Sequence, residues 1–432
     1  MNNRKIVETF MNRKSSLIIL TLTLATSTFA AEEKITFNQA IDLAIKNNLE
    51  VQASYEAYKA STLDKKGTRS AFFPKFTASL SYDKSNSETI ATGTSLTNDG
   101  YTGAINLSQN LFNGFSDYAN LKIADNNIKM SEANLQETKA QISYDLKTAT
   151  ANYNFAKDSL VLSKDILKRR EDNLRMVELR FENGRENKGS VLLSKAYLEQ
   201  AKLDLFKANN AMEVSLKYLR RVLNLPDNTQ IDIVDIPAVN ENVNNPNYDS
   251  IISQTPTAKK FSVALSNASA TLETKQAGYY PSWDVTGSLG KTGKDFFPDD
   301  QKNWRIGTSL TWSLFSGGKD YYSSTSANLL VKSAEKKLEN QNLELKRVLT
   351  DSYSSFNEAI QTVKVSSAFL DASKVRADIS RSKYNNGLAT FDDWDIIEND
   401  LITRQKNYTQ TIRDRLVAEA AWEQAQGTGV IP

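Results

Sequence analysis

The side chains of this chain best equipped for chemistry are carboxylates, and four of them crowd together at Asp392, Asp393, Asp395 and Glu398. Such groups can relay protons, hold a cation, or line a passage with negative charge. The usual helpers are missing, because the sequence has no cysteine and no histidine. That removes the commonest zinc ligands, thiol nucleophiles, the imidazole base of a serine triad, and disulfides. No motif among the 51 acidic residues announces a paired-carboxylate active site. An enzyme is therefore not expected, with a secreted carboxylate-dependent hydrolase as the only enzymatic reading left, and no cofactor or metal is expected either. Absence of cysteine suits an oxidising compartment.

The elements that must position these carboxylates begin after an export signal. Residues 1–30 read as a signal peptide: Arg13 and Lys14 form a basic start, Leu17 to Phe29 is mostly apolar, and Thr28-Phe29-Ala30 offers a cleavage site, with Met11 as an alternative start. The apolar run falls short of the roughly 20 residues needed to span a bilayer, and no cysteine follows it to carry a lipid. Without these residues 49 basic side chains face 50 acidic ones, so nothing calls for nucleic acid.

Proline placement sets the scale of the helices. The eight prolines leave 75–225 and 299–431 free of any, which permits long helices. The chain also repeats itself. Ala71-Phe72-Phe73-Pro74 matches Gly278-Tyr279-Tyr280-Pro281, Leu111-Phe112-Asn113-Gly114 matches Leu314-Phe315-Ser316-Gly317, and Phe181-Glu182-Asn183-Gly184 matches Tyr384-Asn385-Asn386-Gly387. Two structural repeats are expected, 31–223 and 255–427, each running helix, two strands, long helix, turn, helix. They are joined by a linker over 224–254, rich in Asn, Asp and Pro, with one short strand at Ile231 to Val234. Thr36-Phe37-Asn38-Gln39 has the form of a capping box, and Thr255-Pro256 sets a cap before a proline at the first helical position; the helices they open are expected over 37–69 and 257–277.

The strands alternate apolar and polar residues. Phe76, Ala78, Leu80 and Tyr82 oppose Thr77, Ser79, Ser81 and Asp83; Tyr101, Ile105, Leu107 and Leu111 oppose Thr102, Asn106, Ser108 and Asn110. In the second repeat Trp283, Val285 and Leu289 share a face, as do Trp304, Ile306, Leu310, Trp312 and Leu314. Alternation alone fits a soluble sandwich as well as a barrel. Aromatic residues at the strand ends, Phe73, Tyr280, Trp283, Trp304 and Trp312 among them, together with the export signal favour an outer-membrane barrel with an aromatic girdle in contact with lipid. Four strands cannot close by themselves, because open edges are not satisfied in lipid. The barrel must be shared between two, three or four copies, with loops at 83–100 and 290–303 facing outside.

From Ser116 to Phe181 and from Lys319 to Tyr384 neither Pro nor Gly occurs, which gives about 100 Å of helix in each case. Spacing by seven at Val331, Leu338 and Leu345, then at Leu349, Phe356, Val363 and Leu370, predicts coiled-coil packing with a shift of register. Asn183-Gly184 and Asn386-Gly387 supply left-handed caps, after which helices resume near Ser190 and Asp392 and end near Leu223 and Ala425. The fold class is thus an α+β membrane protein: long antiparallel coiled helices, forming a tube or a filled stalk, plus four strands of a shared transmembrane barrel.

Over essentially the whole mature chain these features resemble the TolC-type outer-membrane factors. The resemblance is carried by the duplicated aromatic-Pro corner, the Leu-Phe-x-Gly strand ends, the turns Arg180-Phe181-Glu182-Asn183-Gly184 and Lys383-Tyr384-Asn385-Asn386-Gly387, and the opening run from Ile35 to Ala44. It implies a homotrimer with a twelve-stranded barrel in the Gram-negative outer membrane and a helical tunnel across the periplasm. It further implies docking of the turn tips, at Gly184, Arg185, Gly387 and Leu388, onto a periplasmic adaptor and an inner-membrane transporter, and passive conduction without chemistry. The family's periplasmic gate maps onto Tyr384 and Asp393. Ala389, Ile396 and Ser190 stand where the family places a gate arginine, a second aspartate and the arginine's carboxylate partner, so an Arg–Asp bridge cannot hold this mouth. The carboxylates at 392, 393, 395 and 398, opposite Arg185, Lys188 and Arg180, are the expected substitute. Asp392 and Asp395 also suit the dipole at a helix start.

The function expected is the exit duct of a tripartite efflux pump or a type I secretion system, its cargo open among drugs, other small molecules, metals and proteins. An exported trimeric coiled-coil adhesin anchored by a small barrel is the alternative, disfavoured because strands interrupt the helices twice.

Overall fold

The computed structural model describes residues 33–234 and 245–432. The expected signal peptide and positions 235–244 of the linker lie outside the described residues.

The chain opens with β1 (Glu33–Thr36), α1 (Phe37–Asn47) and α2 (Leu49–Arg69). Thr36 and Gln39 form the anticipated capping box. The single helix expected over 37–69 is instead two. Asn48 leaves helical geometry at ψ 122°, and its side-chain oxygen accepts from the N–H groups of Glu50 and Val51, so one residue ends α1 and starts α2.

After the Phe73-Pro74 corner come β2 (Lys75–Thr89) and β3 (Thr94–Asn113). The expected loop at 83–100 is mostly strand, paired in register from Asp83↔Gly100 to Thr89↔Thr94. The chain continues through α3 (Ser116–Glu182), α4 (Lys188–Leu223), β4 (Ile231–Val234), α5 (Tyr248–Gln254) and α6 (Pro256–Gln276), the last capped by Thr255 as anticipated. The second pair of strands, β5 (Ser282–Gly293) and β6 (Gln301–Thr311), leads into α7 (Lys319–Asn385) and α8 (Phe391–Ala425). Strand β6 stops before Trp312 and Leu314, which were expected inside it; the indole of Trp312 instead donates to the Tyr279 carbonyl at 3.2 Å.

The strands form one antiparallel sheet in the order β2-β3-β5-β6. Each strand-to-helix turn needs two successive left-handed residues, Gly114 with Phe115 and Gly317 with Gly318, which explains the glycine of the Leu-Phe-x-Gly signature. Long helices α3 and α7 have 67 residues each, about 100 Å of rise. Helix α3 lies between α2 and α4 on one side and α6 and α8 on the other, and α7 packs beyond α6 and α8. Small residues on α3, including Ala119, Ala133, Ala140, Ala149 and Ala156, are buried in these contacts and let the helices approach closely.

A belt at mid-height gathers the main apolar cluster, with Phe37, Leu146, Tyr153, Leu219, Leu223, Ile231 and Ile431. Strand β1 runs parallel to β4 there, a pairing that the sequence pattern does not announce. Lys157 clamps the buried Asp232 at 2.7 Å, and the Tyr153 hydroxyl donates to the Ile231 carbonyl at 3.1 Å.

Candidate functional site: the sheet edges and the helix tips

On the sheet, alternation becomes two chemically distinct faces. One row across all four strands reads Ala78, Ile105, Leu289 and Trp304; the adjacent residues on the opposite face read Thr77, Asn106, Ser288 and Arg305. Among the described residues nothing covers the apolar face: Ile306 and Trp304 are about three-quarters exposed. Aromatic residues gather at both ends of this face. Phe73, Tyr280, Trp283 and Trp312 sit at the helix end, where Phe112, Phe115 and Tyr280 meet edge to face. At the far end Tyr82 meets Tyr101 and Tyr101 meets Phe296. Trp304 lies towards that end, since it faces Leu289 whereas Trp283 faces Leu310, about 20 Å along the strand. Among the described residues, strands β2 and β6 each keep one edge unpaired.

At the other extreme of the long helices, both turns close as Schellman motifs. Gly184 and Gly387 take φ of +70° and +75°; the Arg185 N–H donates to the Arg180 carbonyl and the Leu388 N–H to the Lys383 carbonyl, each at 2.8 Å. Gly184, Arg185, Gly387 and Leu388 are all exposed at the tips.

Between the tips Tyr384 is wholly buried. Its ring stacks on Trp394, the Arg180 guanidinium lies 4.4 Å over it, and its hydroxyl donates to Glu186 Oε2 at 2.8 Å. Burial, followed by the Glu186 carboxylate, raises the phenol's pKa well above its ordinary value, so it remains a donor. Arg180 also donates to the Tyr384 carbonyl at 2.6 Å, and Ser190 donates to Glu186 at 3.0 Å. Ser190 therefore does not leave the turn without a carboxylate, because Glu186 supplies one.

The four carboxylates separate into two kinds. Asp392 and Asp393 are exposed. Asp393 completes a capping box with Thr390, accepting from its hydroxyl at 2.6 Å, and these hydrogen bonds hold its carboxyl below the ordinary range. Asp395 and Glu398 are buried and are not presented to solvent. Their partners are not Arg185 and Lys188, as the sequence suggested. Asp395 accepts from Tyr197 at 3.1 Å and Asn399 at 3.0 Å with Arg170 at 4.0 Å, and burial raises its pKa despite them. Glu398 accepts from Arg169 at 3.1 Å, Asn173 at 3.2 Å and Arg381 at 3.3 Å. This network ties α3, α4, α7 and α8 into one block.

Its signal was present in the sequence. Ile166, Arg170, Asn173 and Val177 lie at spacings of four, three and four, as do Phe391, Trp394, Glu398 and Leu401 at three, four and three. Polar residues at such seam positions mark a buried network in a coiled coil.

Residues 40–225 and 247–428 match the outer membrane efflux protein family. The chain belongs to this family. Among relatives, the outer membrane efflux protein BepC of Brucella suis biovar 1 (strain 1330) is 22% identical over 96% of this chain and 89% of its own. In fold, the chain is similar to the CmeC outer membrane channel of Campylobacter jejuni, with a TM-score of 0.79 at 17% identity over 91% of this chain and 86% of that one. It is likewise similar to the outer membrane protein VceC of Vibrio cholerae, with a TM-score of 0.80 at 17% identity over 91% and 96%. As an outer membrane efflux protein the chain is a channel component of the outer membrane that extends into the periplasm, and not an enzyme; the adhesin alternative falls away. Members of this family work in efflux pumps with adaptor and inner-membrane partners.

Proposed function

We propose that three copies of this outer membrane efflux protein close head to tail into one duct. Each brings four strands to a barrel of twelve in lipid, and its helices to a periplasmic tunnel; the repeats 31–223 and 255–427, joined by 224–254, form the halves of each copy. The observation that carries this reading is that the free edges coincide. Strand β6 and helix α7 are open on one flank, β2 with α2 and α4 on the other. Unlike edges that match in this way build rings rather than two-fold dimers, and an edge in lipid must be paired.

At the periplasmic mouth, Tyr384 with Arg180, Glu186 and Trp394 holds each copy's two hairpins together, in place of an Arg–Asp bridge. Asp393, with Asp392 beside it, forms a carboxylate ring at the constriction that favours cations, while Asp395 supports it from within. Gly184, Arg185, Gly387 and Leu388 form the surface for a periplasmic adaptor, behind which an inner-membrane transporter supplies energy. The cargo class is a drug, another small molecule or a protein.

Light scattering on the detergent-purified protein, corrected for bound detergent, tests the assembly. Three chain masses are expected, and a stable monomer or dimer would overturn it.

A further inference from the structure

On the apolar face of the sheet, the row that follows Ala78, Ile105, Leu289 and Trp304 reads Leu80, Gly103, Lys291 and Lys302. Two lysines thus stand directly opposite one another, at the end of the face away from the helices. Like charges opposed across a ladder are unfavourable. The duplication shows that the other hairpin avoids this. The starts of β2 and β5 lie 207 positions apart and those of α3 and α7 lie 203 apart, so Lys291 and Lys302 occupy the places of Lys84 and Asp99. There a lysine faces a carboxylate. Depth adds to the contrast. Trp283, at the helix end, and Lys291 bound nine residues of β5, and a strand crossing a bilayer takes about 9–11. The two lysines therefore come at the far boundary of the apolar band, where lipid head groups lie.

The loop that joins β5 to β6 folds back over this same face. Pro298 is buried where glycines leave room for it: a Cβ at Gly103 would lie 3.7 Å from its Cγ, and one at Gly293 would lie 3.2 Å from its Cα. Phe296 meets Tyr101 and Phe297 edge to face, and Phe297 stays 82% exposed. Asp299 pairs with Lys291, while Lys302 has no ion pair among the described residues. Asp300 turns back to accept from the Lys294 N–H at 3.1 Å, and the adjacent Lys294 and Asp295 offset each other in charge. The acids belong to the loop; the two lysines belong to the strands themselves.

We propose that Lys291 and Lys302 form a site for the phosphate of an outer-leaflet lipid, whose acyl chains run along Leu289, Trp304 and Ile306 and whose head group lies beside Phe297. This rests on the proposed placement of the apolar face in lipid and names the lipid chemistry which that face takes up. Two ammonium groups at head-group depth offer a phosphate charge-assisted hydrogen bonds, and the phosphate in turn relieves their repulsion. A free phosphate meets only the charges. A lipid adds burial of its chains against exposed Trp304, Ile306 and Leu289, and that burial is the larger gain. Asp299 competes for Lys291 and serves as its counter-ion when no lipid phosphate is bound.

Native mass spectrometry of the full-length protein, purified in mild detergent and titrated with lipid A or with lipid A stripped of its phosphates, tests the site. The phosphorylated form is expected to be retained in preference. Lys291→Gln with Lys302→Gln should weaken its retention about twenty-five-fold, about five-fold for each lysine at a charged lipid surface, and leave the stripped form unchanged. Asp299→Asn should strengthen retention several-fold by freeing Lys291, the opposite of what damage to the fold would do, and Lys84→Gln should match wild type. Excess inorganic phosphate should not displace the lipid. Equal retention of the two lipids, or retention unmoved in the double variant, overturns the site; displacement by inorganic phosphate overturns the lipid as its occupant. In vesicles with brominated acyl chains, the Trp304 emission, read as wild type minus Trp304→Phe, should be quenched. Quenching without phosphate-selective retention overturns the site alone, whereas an unquenched Trp304 defeats the placement in lipid.

Discussion

The ring of Tyr384 lies 4.8 Å from that of Trp394 and within 1° of parallel, while its hydroxyl reaches across to Glu186 on the other hairpin. One side chain thus packs against its own hairpin and hydrogen-bonds the other. Tyr384→Phe keeps the stack and removes the hydroxyl, a charge-assisted bond of about 1.5–3 kcal/mol. The variant is expected to assemble normally and to show shorter closed times in single-channel recordings. Closed-state lifetimes equal to wild type would remove the hydroxyl from the latch.

Glu398 is fully buried and held by two arginines and Asn173. Glu398→Ala strands Arg169 and Arg381 and is expected to destabilise the helix ends by about 3–5 kcal/mol. Glu398→Gln keeps an acceptor and should cost less. Hydrogen exchange at 165–185 and 380–400 is the readout, and protection unchanged in the alanine variant would refute the role.

Asp395 carries a pH signature. Burial raises its pKa above 3.8, with Tyr197, Arg170 and Asn399 pulling it down and Asp392 pushing it up. A raised acid binds its proton more tightly when folded, so its contribution is complete below the ordinary value and is lost as pH rises through the folded one. Asp395→Asn should therefore gain on wild type in thermal midpoint as pH rises above the ordinary carboxylate range. Parallel curves would contradict the assignment.

Gly114 and Gly317 are equivalent in the duplication but differ in surroundings. An added Cβ at Gly114 overlaps the Ala277 backbone, whereas one at Gly317 meets nothing among the described residues. Gly114→Ala should block folding of the junction, adding a clash to a left-handed backbone. Gly317→Ala should cost the monomer only about 1–2 kcal/mol. Yields of folded monomer and of oligomer, measured separately, distinguish the two.

Much of this architecture was legible because long repetition averages out local ambiguity. Helices of 67 residues and four alternating strands leave periodic signals that no single residue can mask. The parts that escaped are those in which one side chain serves two elements. Asn48 breaks a helix without any Gly or Pro nearby, and the parallel pairing of β1 with β4 joins four-residue strands, too short to carry a pattern. At the tips the acidic cluster was visible but its partners were not. Arg169 and Arg170 stand far from it in sequence, Arg381 lies across the turn from it, and all three meet it only when α3, α7 and α8 pack; Glu186 was hidden in a turn read for its glycine.

An outer-membrane duct whose mouth carries Asp393 is best probed by planar-bilayer conductance of the purified oligomer, with a trivalent cation added from the side of the helix tips. Stable, cation-preferring openings are expected, which the trivalent ion blocks in wild type and blocks several-fold more weakly in Asp393→Asn. Openings blocked equally in both would contradict the place given to Asp393, and a folded oligomer without conductance would contradict the duct.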